Sequence, residues 1–174
     1  MDRFMKRYKR YYKDGGLYFF TVVTYHRKRL LIDYIERLRE SFRIVITKMP
    51  FKIDAIVVLP DHLHCIWQMP PGDSDFSGRW MRIKKHFSIG ITAPVNKRRE
   101  KQVWQPRYWE HLIRDEEDWL MHMNYIHYNP VKHGYAKRPL DWEYGSFKKW
   151  IQHSIYDETW GTSYPEDIVN LDYE

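Results

Sequence analysis

The chain has 174 residues, 29 Lys and Arg against 23 Asp and Glu, and a formal net charge of +6. That length suits one domain with a real core. No apolar run approaches the roughly 18 residues of a spanning helix, and the basic, aromatic start carries no signal-peptide core, so a cytoplasmic protein without membrane partners is expected. The single Cys65 excludes an internal disulfide framework and a Cys-x-x-Cys zinc site. Aromatic residues are dense, with 14 Tyr, 8 Trp and 8 Phe. Flat rings among positive charges suit single-stranded or looped nucleic acid, although an aromatic core in a basic protein has the same composition.

Residues 1–13 carry Arg3, Lys6, Arg7, Lys9, Arg10 and Lys13 interleaved with Tyr8, Tyr11 and Tyr12. They read as a basic arm that can track a phosphate backbone, with Arg7, Arg10, Tyr12 and Lys13 as candidate contacts. A frayed, solvated terminus is the plainer alternative. Asp14-Gly15-Gly16 is a turn, and the β-rich run Leu17–Tyr25 is a first strand. Asp33 is expected to cap a helix of about fifteen residues in which Ile35, Leu38, Phe42, Val45 and Ile46 recur at helical spacing. Pro50 ends it, and Phe51–Leu59 is a second strand.

That strand leads into Leu59-Pro60-Asp61-His62-Leu63-His64-Cys65-Ile66-Trp67. On a strand, alternation puts His62 and His64 on one face and Leu63 and Cys65 on the other. Two imidazoles side by side on a rigid element are half a metal site; otherwise they line a solvated sheet face. After the turn cluster Met69–Asp73, a second helix is expected from near Asp75 to Gly90, with Phe76, Trp80, Ile83 and Phe87 as its apolar stripe. Arg79, Arg82, Lys84 and Lys85 fall on its other faces, either as phosphate contacts or as a solvated basic surface. Pro94–Lys101 is a basic linker, and Val103–Ile113 suits a last strand.

The order strand, helix, strand, strand, helix, strand predicts an α+β fold: a split β-α-β, ferredoxin- or RRM-like antiparallel sheet with helices on one face. Asp115-Glu116-Glu117-Asp118 then opens a third helix, its acidic first turn matched to the helix dipole. Trp119, Met123 and Ile126 form its apolar stripe. Tyr125 and Asn129 lie one turn apart beside that stripe and can both point at the open face of the sheet. Pro130 is expected to end the helix.

Pro60–Trp67, Trp104-Gln105-Pro106-Arg107-Tyr108-Trp109-Glu110-His111 and Tyr125-Ile126-His127-Tyr128-Asn129-Pro130-Val131-Lys132-His133-Gly134 stand in an order that resembles the single-tyrosine HUH transposases, and among them the bacterial REP-associated tyrosine transposases. The opening Tyr11–Thr21 fits as well, so the resemblance spans about residues 5–150. It implies one HUH-type domain over 1–150, including the arm 1–13, and composition marks 151–174 as an acidic tail. It implies His62 and His64 as metal ligands, Asn129 as the third, and Tyr125 as a nucleophile that cleaves single-stranded DNA carrying a REP-like hairpin through a 5′-phosphotyrosine. The donors alone suit zinc or manganese at least as well as magnesium; the family implies magnesium or manganese. The metal, Lys132 or His133 can assist departure of the tyrosine proton, and Lys132 and His133 are also candidate DNA contacts. Tyr128, three positions on, is the alternative nucleophile.

A non-catalytic hairpin-binding protein and a phosphoesterase that uses water are the competing readings. A monomer is expected, although family members include dimers with shared active sites. Residues 157–174 contain Asp157, Glu158, Glu166, Asp167, Asp172 and Glu174 and no Lys or Arg, with Trp160, Tyr164 and Tyr173 among them. This tail either solubilises the protein or, being acidic and aromatic like DNA, folds back over the site near Tyr125.

Overall fold

The computed structural model describes residues 11–168 and 171–173. Four strands, β1 (Leu17–Val23), β2 (Lys52–Val58), β3 (His62–Gln68) and β4 (Trp109–Leu112), form one sheet in the order β2-β3-β1-β4. Every neighbouring pair is antiparallel. This is the split β-α-β arrangement: β3 lies between β2 and β1, and α1 (Ile35–Lys48) connects β1 to β2.

Alternation sorts the strand residues into two cores. Tyr18, Phe20, Val22, Leu63, Cys65 and Trp67 pack with Leu38 and Phe42 of α1 and with Trp80, Ile83 and Phe87 of α2 (Phe76–Ser88). Phe19, Ala55, Val57 and Ile66 point the other way, against Met123 and Ile126 of α3 (Glu116–Lys132). The two helices of the split motif thus share one face, and α3 covers the other. Covering on both sides buries β3 from His62 to Trp67 without a break.

Several boundaries depart from the sequence expectation. Asp33 does not cap α1; the N-cap position is Tyr34, with no side-chain hydrogen bond. Asp75 does cap α2, accepting from the Gly78 N–H at 2.8 Å. The last strand is shorter than 103–113: Trp104 makes one bridge to Thr24, then the ladder lapses and resumes at Trp109. Pro106 has no N–H to offer it. The linker at 94–101 closes on itself through a Val95–Lys101 bridge.

Pro130 does not end α3, which runs on to Lys132. A proline in the last turn forfeits one hydrogen bond, to the carbonyl four residues back, and the helix continues. It stops at Gly134, whose φ of +72° suits a residue without a Cβ, while Tyr135 N–H bonds back to Pro130 O at 2.8 Å. Beyond it, α4 (Phe147–Gln152) runs across the boundary expected at 150, and Tyr156 and Ile168 are buried in the α3-side core. Sandwiched between the sheet and this C-terminal segment, α3 is buried continuously from His122 to Pro130. Among the described residues, no helix is long and apolar enough to cross a membrane.

Candidate active site

β3 presents His62 and His64 to the face that α3 covers, where they are 1% and 0% exposed. An imidazole that lends Nε2 to a metal keeps its proton on Nδ1, and here each Nδ1 meets an oxygen able to accept it. His62 Nδ1 lies 2.7 Å from Asp61 Oδ1, and His64 Nδ1 lies 2.9 Å from Thr21 Oγ1. Thr21 is directly opposite His64 in the β1–β3 ladder. Burial pushes the Asp61 carboxyl up, but hydrogen bonding to His62 and the nearby Arg27 guanidinium outweigh it, so its pKa falls below the usual carboxylate value. Both rings are held by partners, the arrangement a metal-binding histidine needs.

Tyr125 comes to these histidines from α3. It is 1% exposed, its ring centroid is 5.2 Å from that of His64, and Lys132 Nζ lies 3.4 Å from its hydroxyl. His133 stands 5.1 Å from His62, ring to ring. Asn129, between Tyr125 and His133 on the helix, is 0% exposed, and its amide oxygen and nitrogen have no hydrogen-bond partner among the described residues. A buried amide left unsatisfied is costly, and a ligand that takes its oxygen removes the cost. The donor set therefore fits a divalent ion. Tyr128 is placed elsewhere: its ring meets Tyr164 at 5.1 Å and Trp160 at 6.3 Å, on the C-terminal segment.

The expected DNA contacts divide. Arg7 and Arg10 lie outside the described residues. Tyr12 is exposed and stacks on Phe76 at 4.9 Å, beside an exposed Lys13. Arg82 and Lys85 are exposed, and Lys84 lies over the Trp104 and Tyr108 rings at 5.8 and 5.3 Å. These lysines line a cleft of about 950 Å³ with Arg98, Lys101 and Tyr108. Arg79 corrects the sequence reading. It is 1% exposed, and its guanidinium bonds Asp73 and the carbonyls of Met49, Pro50 and Asp75, so it holds α2 in place instead of facing solvent.

A second donor cluster, not anticipated from the sequence, lies across Phe19 from His64. His111, Asp118 and His122 bring ligand atoms within 4.8 Å of one another, a set that suits a metal ion. Each is already engaged: Asp118 with His111 at 2.8 Å and Arg114 at 3.1 Å, and His122 Nδ1 with Asp118 O at 2.7 Å. Burial raises the Asp118 carboxyl, and the bonds from His111 and Arg114 more than reverse this. Burial also lowers the pKa of His122, favouring the neutral ring.

Tyr173 fills the space between this cluster and Tyr125. Its ring stacks on Trp109 (4.8 Å, 17°) and on His122 (5.0 Å, 13°), and its backbone N–H donates to the Tyr125 hydroxyl at 3.3 Å. Asp61 precedes His62 in sequence and was the one supporting residue within reach of sequence reasoning. Thr21, Trp109 and His122 carried no local signal.

Known proteins resemble the chain throughout. A family model described as transposase, IS200 like, matches residues 14–129. A REP-associated tyrosine transposase of Escherichia coli K12 is 43% identical over 157 residues, covering 90% of this chain and 91% of that protein. A putative REP-associated tyrosine transposase of Haemophilus influenzae is 42% identical, covering 90% and 94%. A solved REP-associated tyrosine transposase, bound to a REP hairpin, superposes with a TM-score of 0.82 at 40% identity, covering 97% of this chain and 96% of that one. With that identity along nearly the whole chain, on the same fold, the protein belongs to the IS200-like transposases and, within them, to the REP-associated tyrosine transposases.

Proposed function

We propose that the protein cleaves and rejoins single-stranded DNA next to a REP-like hairpin, with Tyr125 as nucleophile and His62, His64 and Asn129 holding a magnesium or manganese ion. The observation that carries this reading is the approach of Tyr125 to His64, 5.2 Å between rings, with Lys132 Nζ 3.4 Å from the reactive oxygen. The hairpin partner is taken from the solved relative bound to one.

When bound, the ion supplies Lewis-acid polarisation of a non-bridging phosphate oxygen. The chain's own residues do the rest. Asp61 and Thr21 hold the imidazoles in register, and Asn129 completes the donor set one turn beyond the nucleophile. The Tyr125 oxygen attacks phosphorus in line: an O–P bond to tyrosine forms, the bond to the 3′ oxygen breaks, and that oxygen leaves with a proton. The phenolic proton must depart as the bond forms, since a free tyrosine holds it to a pKa near 10. The Lys132 ammonium faces the oxygen on which negative charge develops. Because the phosphotyrosine conserves the ester, attack by a 3′-hydroxyl rejoins a strand without a nucleotide cofactor. Lys84, Lys85 and the exposed Arg82 supply sequence-independent phosphate contacts.

The test is incubation with a labelled hairpin oligonucleotide bearing single-stranded flanks, in magnesium or manganese, followed by denaturing electrophoresis. A covalent protein–DNA adduct is expected. Cleavage without an adduct establishes water as the nucleophile, and binding without cleavage establishes a hairpin-binding protein.

A further inference from the structure

The ring of Tyr173 lies parallel to both Trp109 and His122, at 4.8 and 5.0 Å, with Phe19 against its flank at 5.5 Å. This is stacking on flat platforms, the geometry by which proteins hold unpaired bases. The position matters as much as the shape. The backbone N–H of the same residue sits on the Tyr125 hydroxyl at 3.3 Å, where a scissile phosphate has to arrive. A nucleotide spaces its base from its phosphate by a sugar, as tyrosine spaces its ring from its amide by Cα and Cβ. Tyr173 therefore occupies the nucleophile and the platform together, as one nucleotide would.

The slot also has a polar edge. His122 Nδ1 is committed to Asp118 O at 2.7 Å, which leaves Nε2 as the acceptor of a neutral ring; that nitrogen is buried with no hydrogen-bond partner among the described residues. Tyr173, stacked on the ring face, does not reach it. Arg114 and His111, both bonded to Asp118, border the slot, with Arg114 largely exposed beside it.

We propose that Trp109 and His122 form a nucleobase-binding slot for the nucleotide adjoining the cleaved phosphate, in the space that the Tyr173 ring fills. The inference rests on the strand-cleavage reading above and adds to it a site and an occupant. It assigns His122 to binding through its ring face, with His111 and Asp118 fixing its orientation.

The experiment uses the full chain and a set of hairpin oligonucleotides in which 2-aminopurine is stepped through each position of the single-stranded flank. One position is expected to show fluorescence quenching on binding. Quenching there should deepen in Tyr173→Ala, persist in Trp109→Phe and vanish in Trp109→Leu. An abasic site at that position should lower adduct yield roughly five- to hundredfold, the range of one lost base stack. If Trp109→Leu does not fold, the comparison of wild type with Tyr173→Ala decides: equal quenching at every position overturns the slot. Adduct formation with no position whose quenching depends on Trp109 also overturns it, while leaving cleavage by Tyr125 intact. Loss of adduct in every protein, wild type included, overturns the cleavage reading itself.

Discussion

Lys132 Nζ lies 3.4 Å from the hydroxyl of Tyr125 and 5.0 Å over its ring. The two residues are seven positions apart on α3, close to two full turns, so they share one side of the helix. If Tyr125 is the nucleophile proposed, a cation fixed there stabilises charge developing on its oxygen more than it holds the neutral phenol. Lys132→Met should slow adduct formation about a hundredfold, the usual cost of removing one charge-stabilising donor, with a smaller change in hairpin affinity. Lys132→Arg should recover part of the rate. Single-turnover adduct formation measures both; an unchanged rate in Lys132→Met removes Lys132 from the chemistry.

Tyr125→Phe keeps the ring on His64 and loses only the oxygen. Adduct should disappear while hairpin binding stays within about twofold, on the view that the hydroxyl acts in chemistry more than in binding. Tyr128→Phe should retain the adduct, since that ring packs against Tyr164 and Trp160. A normal adduct from Tyr125→Phe gives the role to another tyrosine.

His62→Ala and His64→Ala should each abolish cleavage and weaken metal binding. Cys65→Ala, on the opposite face of β3, should keep both activities at a small cost in stability. Asp61→Asn and Thr21→Val remove the Nδ1 partners and should weaken metal affinity roughly 10- to 100-fold. Titration of manganese into the folded variants distinguishes these cases, and a Cys65→Ala protein that folds but binds no metal contradicts the face assignment.

Arg79 and Arg82 stand on the same helix and should behave oppositely. Arg79→Leu strips a buried cation from Asp73 and three carbonyls, with a loss of about 3 kcal/mol in urea unfolding. Hairpin affinity of the folded fraction should not change. Arg82→Ala should leave stability within about 0.5 kcal/mol and weaken hairpin binding modestly at low salt. The Asp73 carboxyl is held below its usual pKa chiefly by the hydrogen bond from Arg79. Its contribution to stability is therefore complete above the unfolded carboxylate range and lost as pH falls through the folded value. Arg79→Leu should flatten that acid limb.

The tail should act as a brake. Removing residues 171–174 takes away the Tyr173 ring and its N–H on Tyr125, so cleavage should accelerate. Part of the gain should fade as salt rises, because the competition between an acidic tail and DNA is partly electrostatic. Cutting instead after Gln152 removes Tyr156 and Ile168 from the α3-side core and should destabilise the protein outright. A folded 1–170 chain that cleaves no faster than the intact one shows that the tail does not inhibit.

The sequence by itself determined the sheet and the placement of the two halves of the candidate site. Period-2 alternation placed His62 and His64 together, opposite Leu63 and Cys65, and helical phase placed Tyr125 and Asn129 on neighbouring turns. These are local properties, set by backbone geometry within one element. Local rules misjudged Pro130, whose single missing N–H is absorbed in the last turn of α3, and Asp33, which lies before the true cap. They also misplaced Arg79, because its charge is spent on carbonyls and a carboxylate brought in by the α1–β2 connection and the loop before α2. Only the tertiary structure decided what covers the second face of the sheet. Thr21 meets His64 across 43 positions because β1 pairs with β3, and Tyr173 reaches Tyr125 across 48 once α3 and the C-terminal segment pack on that face. No spacing along the chain encodes contacts between residues that far apart; they exist because distant strands pair and because other elements bury their apolar faces on the resulting sheet.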